Sequence, residues 1–343
     1  MKIIDFKWLN FLEKYRSLAR HNLSNSGMPE PDLKALGINV EYETYLKETG
    51  DLDAELRDAI AKRYGVDRDN VILTNGGTEA IFLASAFLSA TSDIITVPFP
   101  EYEPIFLVPE AMGSRVRRVR LESMARADTE GESLAISLPN NPTGKYEDIA
   151  DIVTRIGGSY RHVYIDETFH DFTDDRRVSL YDGSKNMIIS NTMTKFYGLS
   201  SLRVGWIISH KDNIAAMRKI KDLTTINNAR FSLFLAKQAI ERWSFFRERT
   251  HSIVRKNAEK ARRELSDFEF YSEKYEGAPF LFVGNGNFDS EKMATTAVQK
   301  YGLLVAPGSY FGLDGYLRVC ITAYDAGPDL SAFREFAEKE RLK

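Results

Sequence analysis

Between residues 71 and 209 the chain repeats one unit, a short apolar run, a turn and then a helical stretch. Segments 71–74, 93–97, 116–121, 134–138, 162–166, 186–190 and 204–209, most of them apolar, are predicted strands; a helix follows the Gly76-Gly77 turn, another the turn at 100–104, and 145–156 fits a third. Strands that alternate with helices bury both faces of a sheet only when that sheet is largely parallel and covered on each side. The predicted fold is therefore α/β, a large domain with a mostly parallel sheet covered by helices. In open sheets of this kind, sites form beyond the carboxyl ends of the strands. The polar residues at those ends are Gly76-Gly77, Asn141, Asp166 and Lys195.

The flanks read differently. Residues 5–20 fit an amphipathic helix with Phe6, Leu9, Leu12 and Tyr15 on one face, and 51–64 another with Leu52, Leu56, Ile60 and Tyr64. Residues 22–31, rich in Asn, Ser, Gly and Pro, form either a connector or a loop crossing a site, with Gly27 permitting close backbone approach. Residues 211–223 and 228–266 are long, charged and helical, and 268–343 reads strand, strand, helix, strand, strand, helix. The expected division is a large domain over 46–225 and a smaller α+β domain from 1–45 together with 226–343.

Composition narrows the functional classes. A formal net charge of −3 over 343 residues gives no footprint for nucleic acid or a membrane surface. The single cysteine, Cys320, excludes an intrachain disulfide framework and fits a cytoplasmic protein. The first 20 residues carry scattered charges, so neither a signal peptide nor a membrane span is expected there. No metal-ligating constellation is assigned.

Lys195 ends an apolar run and opens a loop, in Thr192-Met193-Thr194-Lys195-Phe196-Tyr197-Gly198. A lysine at a buried strand end loses solvation, which favours the neutral, nucleophilic amine that forms Schiff bases with carbonyl compounds. Thr192, Thr194 and Arg203 nearby suit a phosphate. Gly76-Gly77-Thr78 opens a helix, where free N–H groups bind anions. Arg318 lies inside an apolar strand and needs either a structural salt bridge or an anionic ligand.

Together these residues resemble the fold-type I pyridoxal-phosphate (PLP) enzymes, specifically the class I/II aminotransferases of the aspartate and histidinol-phosphate aminotransferase-like superfamily. The resemblance runs from about Ser24 to Arg318. It rests on Asn140-Asn141-Pro142-Thr143-Gly144, on Ile165-Asp166-Glu167, on Thr192-x-Thr194-Lys195 with Arg203 following, and on Pro307-Gly308-x-x-Phe311-Gly312 with the later Arg318. It implies that Lys195 forms the Schiff base and shuttles the α-proton. Asp166 would pair with the pyridine nitrogen, Asn141 with the ring hydroxyl, and Tyr102 would stack on the ring. Gly77, Thr78, Thr192, Thr194 and Arg203 would hold the phosphate. Arg318, with Gly27 and Asn141, would receive the substrate carboxylate. Tyr45, or Tyr42 in its place, would reach the phosphate of a neighbouring subunit, implying a homodimer with shared active sites. The substrates implied are an L-amino acid and a 2-oxo acid.

One position departs from the family. Where a tyrosine often follows the aspartate by three residues, this chain has Phe169. The missing hydroxyl implies a higher ionisation pH for the lysine–cofactor linkage. It also resembles the amino-acid phosphate decarboxylases, so the alternatives are a threonine-phosphate type decarboxylase or a histidinol-phosphate aminotransferase. The stretch 302–308, where relatives acting on phosphate-bearing substrates place a basic residue, has no arginine, which puts transamination of ordinary amino acids ahead. A non-catalytic regulator domain is disfavoured, because no basic helix-turn-helix pattern precedes residue 46 and both Lys195 and Asp166 are present. A second arginine for a dicarboxylate is unassigned, with Arg230 as the candidate.

Overall fold

The structure, a computed structural model, describes residues 1–126 and 131–342. The chain begins with α1 (Lys7–Tyr15), the two-residue β1 (His21–Asn22), α2 (Tyr42–Leu46) and α3 (Leu52–Tyr64). The alternating unit follows as β2 (Val71–Thr74), α4 (Gly77–Thr91), β3 (Ile94–Phe99), α5 (Glu103–Met112), β4 (Arg115–Arg120), β5 (Ser133–Ser137), α6 (Glu147–Ile156), β6 (His162–Asp166), β7 (Met187–Thr192) and β8 (Gly205–Ser209). The rest is α7 (Lys211–Asp222), α8 (Arg230–Ile240), α9 (Trp243–Glu264), β9 (Phe280–Val283), α10 (Ser290–Tyr301), β10 (Leu303–Leu304), β11 (Ala306–Pro307), β12 (Leu317–Cys320) and α11 (Gly327–Lys339).

The central sheet has the strand order β2-β8-β7-β6-β5-β3-β4. The β7-β6-β5-β3-β4 pairings are parallel, and β8 is antiparallel to both β2 and β7. β2 therefore runs with the parallel strands, and the carboxyl ends of β2, β5, β6 and β7 share one edge. Strands covered on both sides need apolar residues at every position. Accordingly Ile188 and Ile207 enter one core while the next residues, Ile189 and Ile208, enter the core on the opposite face. β4 closes the far edge with Arg115, Arg117, Arg118 and Arg120, charges that discourage pairing with another chain.

A second, antiparallel sheet has the order β11-β12-β9, and β1 pairs with β10, tying the N-terminal segment to the C-terminal region. Helix ends follow local chemistry. Asp51 and Asp289 accept the capping N–H bonds of α3 and α10, and Gly65 and Gly302 close those helices in the left-handed region.

Two helical expectations are corrected. α1 is shorter than 5–20, ending at Tyr15 before a single 3-10 turn. Its buried residues are Trp8, Phe11 and Tyr15, while Leu9 is 42 % exposed, because the stripe with the larger aromatic area wins the core. The stretch 228–266 is two helices rather than one. Arg242 leaves helical geometry (φ −103°, ψ 22°), donates to the Gln238 carbonyl that ends α8, and holds the Gly37 carbonyl with its other nitrogen.

Candidate active site

β7 ends at Thr192, and the turn after it is pinned from within. Met193 N–H donates to Val204 O (3.0 Å) and Leu199 N–H to Met193 O (3.0 Å), while Met193, Phe196, Tyr197 and Leu199 are wholly buried. With its neighbours locked in the core, Lys195 lines the cavity beyond the sheet edge, where its Nζ donates to Ser26 Oγ at 3.0 Å. The loop 24–31 crosses directly over this turn. Met28 N–H bonds Lys195 O (2.9 Å), and a Cβ at Gly27 would stand 3.1 Å from Thr194 O and 3.6 Å from Lys195 Cδ. Gly198 (φ +71°) makes the crossing sterically open, since a Cβ there would meet Pro29 O at 2.5 Å. Burial, reinforced by the Arg318 and Arg203 charges, pushes the Lys195 amine down to about 8.

Asp166 closes β6. Its Oδ1 accepts from Thr168 N (3.1 Å), Thr168 Oγ1 (2.6 Å) and Ser190 Oγ (3.2 Å), which leaves Oδ2 for a ligand in the cavity that Asp166 lines. Burial raises its pKa, against those hydrogen bonds and the Lys195 charge. Such a carboxylate is completed by a cationic or N–H partner.

Arg318, on β12, is 2 % exposed and has no carboxylate partner among the described residues. Its guanidinium donates to Asn141 Oδ1 (2.8 Å) and Ser24 O (3.2 Å), and its Nε is buried with no partner. The rings of Trp8, Phe280 and Phe311 surround it at 5.0–5.7 Å. Asn141 follows β5 and is held in turn by its own N–H on Ser137 Oγ (2.9 Å). Beneath them the buried Glu101 bonds Ser137 N–H and Oγ, and burial lifts its carboxyl to about 8.

The third corner is the start of α4. Gly76 (φ +78°) is its N-cap and supplies no side chain, so the first N–H groups are open. The Arg203 guanidinium lies against Gly76, where a Cβ would come within 2.6 Å of Nη2. Thr192 Oγ1 and Thr194 Oγ1 are 2.9 Å apart, and Thr192 donates to Val204 O (3.0 Å). With that proton committed, Thr194 O–H is the donor to Thr192 Oγ1.

One cavity of about 460 Å³ brings together Gly77, Thr78, Tyr102, Asn141, Asp166, Thr192, Thr194, Lys195, Arg203 and Arg318. Tyr102 both lines it and packs edge-on against Phe6 (5.9 Å). Gly27 lies behind the wall, against Lys195. Tyr45 is outside this cavity, packed among Tyr42, Phe231 and Phe234. Arg230 is outside it too, fixed to the Glu48 and Gly50 carbonyls and lying over Tyr45. The stretch 302–308 is buried and none of its residues lines this cavity, although Ala306 is the register partner of Arg318. Sequence reasoning missed the α1 wall of Trp8, Leu12 and Arg16, and the Lys195 partner Ser26. The i, i+4, i+8 spacing of the first three was the available signal.

A nucleophilic amine, an acid with one oxygen free, a helix start beside an arginine and an unpaired buried guanidinium together fit pyridoxal phosphate and an amino-acid carboxylate. Fold and cavity define a PLP-dependent transferase. The model of the aminotransferase class I and II family matches residues 30–327, and the chain belongs to that family. It is a PLP-dependent aminotransferase. Among curated relatives, histidinol-phosphate aminotransferase of Clostridium beijerinckii is 28 % identical over 90 % of this chain and 87 % of its own length. The Pyrococcus furiosus enzyme of the same name is 26 % identical over 99 % and 98 %. Among solved structures, a PLP-dependent aminotransferase from Streptococcus suis superposes with a TM-score of 0.85 at 20 % identity, covering 100 % of this chain and 99 % of that one. At that identity the likeness concerns the fold.

Proposed function

We propose that the cavity around Lys195 moves an amino group between an L-amino acid and a 2-oxo acid, with the side chains gathered there in the roles that follow. Bound there, pyridoxal phosphate supplies an electron sink for charge that develops at the substrate Cα. Lys195 would hold it covalently, and Asp166 would face its ring nitrogen through the open Oδ2. Asn141 would meet the ring hydroxyl and Tyr102 the ring face. Gly77, Thr78, Thr192, Thr194 and Arg203 would hold its phosphate.

The observation that carries this reading is Arg318, a buried cation without an acid, in the same cavity as a lysine amine lowered to about 8. A substrate carboxylate would complete Arg318 as an ion pair with Asn141 beside it, while Gly27, which does not line the cavity, would act only by letting its loop pass close to Lys195. A carboxylate held in that pair stays on the substrate, so the bond left to break is Cα–H. Burial favours the neutral Lys195 amine, so Nζ, once released from the cofactor by the substrate's amino group, would accept that proton and return it. This favours amino transfer over loss of CO2. The experiment is solvent exchange. Holoenzyme in D2O with an accepted amino acid should replace the Cα hydrogen, read by proton NMR, with no label appearing in the Lys195→Ala variant. Exchange that persists without Lys195 contradicts the assignment.

We further propose a homodimer in which Tyr45 serves the neighbouring subunit's cavity, with Tyr42 as the competing residue. Tyr42 and Leu46 are left more than half exposed in that segment, which supports a protein interface there. The proposed division of the chain is 46–225 for the cofactor domain and 1–45 with 226–343 for the small domain. A single buried thiol, Cys320, supports a cytoplasmic setting. No helix among the described residues is long and apolar enough to cross a membrane.

A further inference from the structure

Ser137 is the last residue of β5 and lines the cavity, yet the proposed roles leave it without a task. It is 2 % exposed. Its Oγ accepts the Asn141 N–H at 2.9 Å and lies in short contact with Oε1 of Glu101. No other group bonds that Oγ among the described residues. The direction of the Ser137 hydrogen therefore depends on whether serine or glutamate supplies the proton between them.

Glu101 is wholly buried, and three of the four groups bonded to its carboxyl can only donate. Tyr102 N–H reaches Oε1 (2.7 Å), while Ser137 N–H (2.9 Å) and the Asn140 amide (3.4 Å) reach Oε2. The Asn140 amide cannot turn round, because its Oδ1 accepts from Thr143 Oγ1 at 2.6 Å. Ser137 Oγ is the one partner able to accept, so a proton on Glu101 sits on Oε1 and is given to that serine. No cation is hydrogen-bonded to the carboxyl among the described residues. The titratable groups that act on it from neighbouring strands are Asp166 and Tyr164 on β6 and Arg118 on β4. Burial, helped by the Asp166 charge, lifts the carboxyl to about 8, which keeps the proton in place at neutral pH.

With two hydrogens arriving at its oxygen, Ser137 must send its own elsewhere. Its register partner Asp166 takes bonds from Thr168 and Ser190, not from Ser137. The cavity is the direction left, and Asn141 and Phe169 line it with Ser137.

We propose that Ser137, turned by Glu101, is a further donor to the cofactor's ring oxygen beside Asn141, standing in for the hydroxyl that Phe169 lacks. Glu101 is the positioning residue of this pair, acting through Ser137. The inference deepens the aminotransferase reading and rests on its placement of the ring oxygen at Asn141.

The test reads the cofactor rather than turnover. A donor at the ring oxygen competes for it with the N–H of the lysine–cofactor linkage, and so lowers the pH at which that N–H ionises. Ser137→Ala should raise this midpoint, followed by the absorbance of the holoenzyme, by about half to one pH unit. It should also weaken binding of pyridoxal phosphate to the apo-protein by about fivefold. Glu101→Met should raise the midpoint as far, and the Glu101→Met/Ser137→Ala double variant no further, because the two act as one unit. Glu101→Gln, whose amide can still give a hydrogen to Ser137 Oγ, should keep the midpoint near wild type. If Ser137→Ala leaves midpoint and affinity unchanged while Asn141→Ala shifts them, the inference is overturned and the ring placement stands. If neither substitution shifts them, the placement falls and the inference with it. If Ser137→Ala raises the midpoint but Glu101→Met does not, the part given to Glu101 is overturned. Should Glu101→Met fail to fold, a midpoint raised in Glu101→Gln overturns that same part.

Discussion

The Arg318 guanidinium donates to Asn141 Oδ1 at 2.8 Å across 177 residues of sequence. This bond joins β12 of the three-stranded sheet to the loop beyond β5 of the central sheet. It also leaves the arginine without an opposite charge, ringed by Trp8, Phe280 and Phe311. A desolvated cation held only by neutral acceptors is a cost to the fold and an asset to binding.

Arg318→Met should separate those two effects. The guanidinium is lost, so kcat/KM for the amino donor should fall by about 100-fold or more. The apo-protein should melt no lower than wild type, because an unpaired buried charge is replaced by an apolar side chain of similar length. Steady-state kinetics and calorimetric melting check the two halves, and retained activity with a large drop in Tm would contradict the assignment.

The Lys195 amine titrates well below an ordinary lysine, near 8. Only the neutral amine is nucleophilic, so labelling of the apo-protein should rise through pH 8 at this lysine, while the exposed Lys274, whose pKa is raised by its bond to Glu147, responds at higher pH. Peptide mapping after a short pulse of trinitrobenzenesulfonate at several pH values resolves the site. A Lys195 profile coincident with that of Lys274 would mean that its amine is not desolvated.

The strand ends were readable in the sequence, and for a physical reason. A strand buried on both faces writes a continuous apolar run, so its last residue is marked by the first polar one, as at Asp166 and at the turn holding Lys195. The face of α1 was not readable. Phe6, Leu9, Leu12 and Tyr15 fit the helical period as well as Trp8, Phe11 and Tyr15 do, and only packing decides between them. The break at Arg242 carries no glycine or proline, since it is made by a long-range bond to Gly37. Arg230 was attractive as a charge, yet its guanidinium is engaged by backbone carbonyls that no local pattern announces.

Glu101 makes a pH prediction. Its folded carboxyl titrates near 8 against an ordinary value of 4.5, so between those values the unfolded chain has lost a proton that the folded protein keeps. Its contribution to stability is therefore full below about pH 4.5 and declines as pH rises toward 8. Glu101→Gln keeps the side chain's size but removes the titrating proton and one acceptor oxygen, and should lose that decline. Tm measured across pH 5–8 should fall less steeply with rising pH in the variant than in wild type. Parallel slopes would mean that Glu101 is ionised in the folded protein.

Gly198 tests the crossing of the two loops. At φ +71°, with Pro29 O 2.5 Å from where a Cβ would sit, Gly198→Ala should cost roughly 2–4 kcal/mol of stability. Gly183→Ala, at φ +85° with nothing within 4 Å of its Cβ, carries the same backbone strain without the crossing and is the control. Denaturant titration should separate them clearly, and equal midpoints would mean that loop 24–31 does not lie over the Lys195 turn.

The most direct measurement of the central account is a single half-reaction. Purified holoenzyme is mixed with one amino donor, and the cofactor's absorbance, the organic product and released CO2 are followed together. The account predicts one equivalent of 2-oxo acid per cofactor, no CO2, and return of the original spectrum when a second 2-oxo acid is added. CO2 released in step with substrate loss, with an amine as product, would contradict it and with it the role of Arg318.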